Sequence, residues 1–206
     1  MIYLRSLETR WFFPGSIPPE VTAWFANLGE VQAQPPRTDL YLLGCGEALG
    51  VKLREGRFEM KKRTAEWGEV QFTQGFSGLV ESWVKWGIEA EADVQPTLDD
   101  DGHWTAVEKT RQILYYQLEA DERVVVSAPG NEPETGGGLE LTALRINGAA
   151  WWTIGVEVFG EPEKLLGVLL QIVNQKVQFL DNIPLAVTGS YSYPYWLNII
   201  QEMSSD

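Results

Sequence analysis

Apolar and polar residues alternate along this chain with period two over short stretches, each cut off by glycine or proline. That is the pattern of half-buried strands. It predicts strands over 4–13, 39–43, 49–54, 58–63, 70–73, 83–90, 105–118, 123–128, 139–146 and 151–159. Glu55-Gly56-Arg57 joins two of these as a hairpin, by its length and its glycine. Two segments change to a helical period. Val21, Trp24, Phe25 and Leu28 recur within 16–28, a stretch opened by Ser16 or Pro18-Pro19 and ended by Gly29. Leu165, Leu166, Leu169, Leu170 and Val173 form an apolar stripe within 163–176, with Pro162 near its start. A short third helix is expected over 195–203, and loops over 91–104 and 129–138. Many strands with few helices give a mainly β (α+β) protein. The expected architecture is an antiparallel eight-stranded β-barrel or tunnel with a few helices packed outside, because closure is how so many strands avoid open edges.

Composition sharpens this by exclusion. The 206 residues suit a single domain over 1–206, its strand-rich tunnel at 3–160 and its helical segment at 162–206. A chain this long buries about 70% of its unfolded surface, so a packed core is expected. Cys45 has no partner for an internal disulfide, and Met1 is not followed by a basic-then-apolar leader, so a cytoplasmic location is expected. No apolar run reaches the ~20 residues of a membrane helix. A single histidine, His103, and a single cysteine exclude a His/Cys zinc site. The net charge of -13, from 16 Lys+Arg against 29 Asp+Glu, argues against nucleic acid or a membrane surface as partner.

The alternation also sorts the charges. On the predicted strands Arg10, Lys52, Arg54, Lys61, Arg63, Lys85, Lys109 and Arg111 fall on faces opposite the apolar residues, eight of the sixteen cations. A merely solvated face should share the acidic bias of the chain; these faces are cation-rich while the loops carry the acids. Gathered on the inside of a barrel, such residues suit a small phosphorylated ligand. Arg grips phosphate in bidentate fashion, and a divalent ion can bridge carboxylates to phosphate oxygens.

At these residues the sequence resembles a divergent member of the CYTH superfamily, the triphosphate tunnel metalloenzymes with their adenylate-cyclase-like and thiamine-triphosphatase-like members. That family opens with a Glu-x-Glu-x-Lys strand. Here Leu7-Glu8-Thr9-Arg10-Trp11-Phe12 keeps the first Glu, with Arg10 in place of the second and Phe12 in place of the Lys. Asp39-Leu40-Tyr41 matches an Asp-x-Tyr strand, while Val51-Lys52-Leu53-Arg54 and Phe58-Glu59-Met60-Lys61 match the basic hairpin. Lys109-Thr110-Arg111 resembles a later Lys-x-Arg strand. Glu140 fits one late acidic position, and Gly155-Val156-Glu157 keeps the second of a Glu-x-Glu pair. The resemblance covers residues 3–160 in order. It implies Mg²⁺- or Mn²⁺-dependent hydrolysis of a triphosphate or related nucleotide chemistry, with Lys52, Arg54, Lys61, Lys109 and Arg111 on phosphates and Glu8, Glu140 and Glu157 on the metal. The departures at Arg10 and Gly155 remove two acids and add a cation. Three readings stay open: a phosphohydrolase, a non-catalytic anion-binding relative, and a lipocalin-like carrier of an apolar ligand.

Other signals are weaker. Asp99-Asp100-Asp101-Gly102 lacks the alternating ligands and closing Glu of a calcium loop and reads as a solvated turn, with His103 incidental beside it. Gly136-Gly137-Gly138 precedes a strand, unlike a phosphate loop, which leads into a helix. The nine tryptophans fall mostly on apolar positions and read as core.

Overall fold

Alternation over the first residues becomes β1 (Ile2–Pro14), which runs until Pro14 and Gly15 break it. The computed structural model describes residues 2–72, 75–89, 103–128, 130–177, 183 and 185–205; the Asp99–Gly102 turn lies outside them. The remaining strands are β2 (Gln32–Ala33), β3 (Arg37–Leu42), β4 (Leu49–Arg54), β5 (Arg57–Gln71), β6 (Ser77–Glu89), β7 (Trp104–Leu118), β8 (Val124–Val126), β9 (Gly136–Ile146) and β10 (Ala149–Phe159). Neighbours pair antiparallel in the order β7-β3-β4-β5-β6-β1-β10-β9, and β9 returns to β7, closing an eight-stranded barrel. The two-residue β2 and three-residue β8 pair along β7 outside that ring.

Three boundaries differ from the sequence pattern. The strands expected at 58–63 and 70–73 are one, β5, because two register shifts, at Arg63/Ala65 and Glu66/Gly68, break the alternation without ending the pairing. β6 likewise begins six residues before position 83. The three glycines 136–138, expected in a loop, are the start of β9. A Cβ at Gly136 would lie 1.9 Å from the Tyr116 carbonyl oxygen, and one at Gly137 2.7 Å from the Val158 side chain. Glycine there permits close strand approach rather than phosphate binding.

Helices α1 (Pro19–Ala26) and α2 (Leu165–Ile172, continued by a π turn Val173–Val177) cover one side of the barrel. Leu165, Val168, Leu169 and Ile172 of α2 and Val21 and Phe25 of α1 pack against outward residues Leu7, Trp11, Leu139, Leu141, Ile154 and Val156. Each fully buried aliphatic side chain contributes about 1.5–3 kcal/mol, so this layer is the main core. A second core sits at one end of the barrel. There α3 (Tyr193–Ser205) brings Trp196, Leu197 and Ile200 onto Phe12, Tyr41, Val107, Leu144 and Ile146. Ser192 caps this helix, its Oγ accepting from the Tyr195 N–H at 3.4 Å. Gly50 gives α3 room: a Cβ there would stand 3.2 Å from Pro194 Cγ. Helix α3 thus covers one end of the barrel. Among the described residues, no helix is long and apolar enough to cross a membrane.

Candidate functional site

The inward positions of the barrel line a cavity of about 130 Å³ whose floor is Tyr41, Tyr193 and Pro194. It opens into a wider basin of about 520 Å³ at the mouth, where Arg37, Arg54, Lys85, Arg111, Glu140 and Glu157 are common to both spaces. The inner wall carries Arg10, Arg37, Lys52, Arg54, Lys61, Lys85, Lys109 and Arg111 against Glu8, Glu59, Glu140 and Glu157. Eight of the chain's sixteen cations thus face four of its twenty-nine acids, with Asp39 a fifth beneath them, which leaves the wall cationic inside an acidic molecule.

Carboxylates hold these cations in place. Arg10 and Arg111 each donate to one oxygen of Glu140, at 2.8 and 2.7 Å. Arg54 donates to Glu59 at 2.7 Å, and Lys52 and Lys85 lie 3.1 and 3.4 Å from its other oxygen. Asp39, fully buried beneath the floor, meets Arg37 at 3.1 Å and Lys52 and Lys109 at 3.2 Å. Lys61 donates to Glu8 and lies 3.7 Å from Glu157, the residue paired with Glu8 across the β1–β10 ladder. At the floor the Lys109 ammonium sits 4.0 Å from the Tyr193 ring centroid and donates to the Tyr41 hydroxyl at 2.6 Å.

Burial and these partners move the titrations. Burial and the facing Glu157 push Glu8 up to about 7, against the pull of Lys61, while Lys61 draws Glu157 below its ordinary value despite burial. Burial pulls Lys109 and Lys52 down to about 8, Asp39 notwithstanding. Asp39 and Glu140 go the other way: burial opposes their charge, but Lys109 and Lys52 hold Asp39, and Arg111 and Arg10 hold Glu140, well below the usual carboxylate range. The wall also carries unsatisfied groups, since Thr142 Oγ1 and Arg111 Nε are buried without a hydrogen-bond partner among the described residues.

Of the residues singled out from the sequence, Arg10, Lys52, Arg54, Lys61, Lys85, Lys109, Arg111, Glu8, Glu140 and Glu157 all line this cavity. Arg63 does not. It faces a separate cavity lined also by Tyr191 and Ser192 and pairs with Glu81 and Glu66 at 2.6 and 2.5 Å. Arg37, two positions before Asp39 on the same face of β3, takes the place of an eighth cation; extending the alternation by one step would have found it. Tyr193 and Thr142 carried no local signal. His103 immediately precedes β7 and is outside the cavity lining.

Whether a divalent ion suits the three expected carboxylates depends on their neighbours. Glu140 accepts an arginine on each oxygen, Lys61 stands at Glu8 and Glu157, and the next inward ladder position, Arg10 opposite Gly155, is filled by a guanidinium. Arg10 pairs in register with Gly155, and a Cβ on Gly155 would lie 2.5 Å from Arg10 Cζ. Among the described residues no group of three or more His, Cys, Asp or Glu is placed to hold an ion. The donor set does not fit a metal held by Glu8, Glu140 and Glu157 together.

No family model and no curated protein sequence matches the chain. Among solved structures it is similar to the PH1819 protein from Pyrococcus horikoshii OT3, with 12% identity, 96% of this chain and 99% of that chain covered, and a TM-score of 0.48. It is also similar to an adenylyl cyclase candidate from Hippeastrum that reveals a dominant triphosphatase activity, with 11% identity, 84% and 88% covered, and a TM-score of 0.37.

Proposed function

We propose that the barrel binds a triphosphate or another phosphorylated small molecule, as the CYTH-like strand motifs suggest, with its phosphates in the narrow cavity. One observation carries this: half of the cations of a strongly acidic chain surround a single cavity. Several Arg and Lys converging on one space can neutralise a multiply charged anion and give it bidentate contacts. The unpartnered Thr142 hydroxyl and Arg111 Nε add donors that protein atoms leave free. An apolar ligand would desolvate eight cations and four carboxylates around the cavity without pairing them, which counts against a lipocalin-like carrier. The cysteine usage keeps the cytoplasm as the proposed location.

Thermal shift with tripolyphosphate, nucleoside triphosphates and inorganic phosphate tests this reading. A ligand at about a hundred times its Kd adds about 2.7 kcal/mol of stability. Arg54→Ala, at the mouth and 24% exposed, should weaken that response while leaving the unliganded melting temperature near its original value. No stabilisation by any phosphate compound, or a response untouched by Arg54→Ala, would refute the reading. A second reading, hydrolysis, is favoured by Glu8: a carboxyl titrating at about 7 suits a general base. Phosphate release from the same compounds separates turnover from binding alone.

A further inference from the structure

We infer that the site takes its phosphorylated ligand as the free anion, without a divalent cation, and that Arg10 seated over Gly155 supplies the charge a metal would bring. The inference rests on the phosphate-binding reading above and adds to it the state of the ligand.

Three observations meet here. First, the two acidic positions that the strand motifs lose are one place in space, because Arg10 and Gly155 are partners across the β1–β10 ladder. Their substitution is sterically coupled. The Arg10 guanidinium occupies the volume above Gly155, where a Cβ would sit 2.5 Å from Cζ and 2.7 Å from each Nη. No side chain, and so no carboxylate, can stand at 155 while Arg10 lies there.

Second, the guanidinium is anchored rather than loose. Nη1 donates to Thr153 Oγ1 at 3.0 Å and Nη2 to Glu140 Oε2 at 2.8 Å, and the side chain is 10% exposed. A planar cation fixed this way is preorganised for phosphate oxygens and needs no ordering when a ligand arrives.

Third, Glu140, which could have served a metal, is turned to Arg10 and Arg111, one oxygen to each. That arrangement resembles an anionic ligand bridging two guanidinia. Glu140 thus stands where two phosphate oxygens would, and an ion there would have to share it with two guanidinia. A cation entering between Arg10 and Glu140 would meet a fixed positive charge at hydrogen-bond distance from that carboxylate.

The test is calorimetric titration of the full chain with tripolyphosphate, once in EDTA and once in excess Mg²⁺ or Mn²⁺. Binding in EDTA with an affinity within about threefold of the metal-containing titration is expected. Mn²⁺ alone, followed by its electron paramagnetic resonance signal, should remain free in the presence of the protein. Arg10→Lys keeps the charge but loses the fork, and Gly155→Ala displaces the guanidinium. Each should lower the EDTA affinity by about tenfold to a hundredfold, the worth of a charged hydrogen bond. Circular dichroism confirms that the variants are folded; should Gly155→Ala fail to fold, Arg10→Lys decides alone. Tight binding only with metal, stoichiometric Mn²⁺ capture, or an EDTA affinity unchanged in Arg10→Lys overturns the inference and leaves the phosphate site standing. No binding in either buffer overturns both.

Discussion

Glu140→Gln should lower the stability of the free protein and strengthen its binding of phosphate, two effects of opposite sign from one change. Glu140 is 7% exposed and joins Arg10 and Arg111 at 2.8 and 2.7 Å. Removing one partner of a buried ion pair costs about 3–5 kcal/mol, because the remaining charge is left uncompensated. The amide keeps one accepting oxygen, so the lower end, about 3 kcal/mol, is expected. For a chain of this length about 1 kcal/mol corresponds to roughly 2–4 °C in melting temperature, so a drop of about 6–12 °C should appear in a thermal scan. For the ligand, the same change removes a negative charge that competes for two arginines. Unit charges about 4–6 Å apart at an effective dielectric near 20 interact by about 3–4 kcal/mol, so binding at least about tenfold tighter is a modest expectation. Calorimetric titration with tripolyphosphate in EDTA measures it. A variant that is destabilised and also binds more weakly would refute the reasoning, since Glu140 would then support the ligand instead of standing in for it. Acid should mimic the mutation only at low pH. The Glu140 carboxyl is held below its ordinary value of 4.5, so its stabilisation is complete above that value and is lost as pH falls toward the folded value.

Two further changes probe the wall and the covered end. The pH dependence of Glu8 has the opposite sign: because folding raises its pKa to about 7, the protonated form is favoured by the fold, and stability falls as pH rises from 4.5 through 7. Urea unfolding at pH 5 and pH 8 should show wild type losing up to about 3 kcal/mol relative to Glu8→Gln over that interval; a difference that does not change with pH would refute it. Trp196 is fully buried and stacks on Phe12 at 4.7 Å, so Trp196→Ala should cost about 3–5 kcal/mol and open the end of the barrel that α3 covers. A melting temperature within a degree or two of wild type would show that α3 is not what closes that end.

Much of this was legible because period two encodes both the strands and their inner face. Once Lys52 and Arg54 oppose Val51 and Leu53, closure of the sheet alone decides that the cations converge. The pattern failed where pairing continues through irregular backbone. The bulges around Ala65 and Gly68 hide the middle of β5, and the close approach of β9 to β7 requires glycines that read as a loop. It failed too for contacts made by distant segments. Nothing near position 193 announces that Tyr193 will stack on Tyr41 with ring centroids 5.8 Å apart, because that contact exists only when α3 enters the barrel. The carboxylates were readable as residues but not as partners: which of them faces a cation depends on register across strands far apart in sequence, as with Glu140 and Arg10.

The register itself argues that the wall is kept for a ligand. Like charges directly opposite each other in an antiparallel ladder are destabilising. Yet Arg37 faces Lys109 between β3 and β7, Lys61 faces Lys85 between β5 and β6, and Glu8 faces Glu157 between β1 and β10. Two conflicts are bridged by an opposite charge, Asp39 between Arg37 and Lys109 and Lys61 between the two glutamates, while Lys85 pairs with Glu59 and Lys61 with Glu8 and Glu157 separately. A barrel wall built for stability alone would be served by apolar side chains of similar volume, which commonly match or exceed a buried ion-pair network. Three like-charge ladder pairs line this cavity, while Arg54 facing Arg57 and Glu66 facing Glu81 show that the sheet carries others not confined to it; breaches of a local rule are expected where a protein gives up stability for function. A multiply charged anion entering that space relieves the two cationic conflicts. It leaves the acidic one to Lys61, so on the proposed reading Glu8 and Glu157 would stand beside the anion.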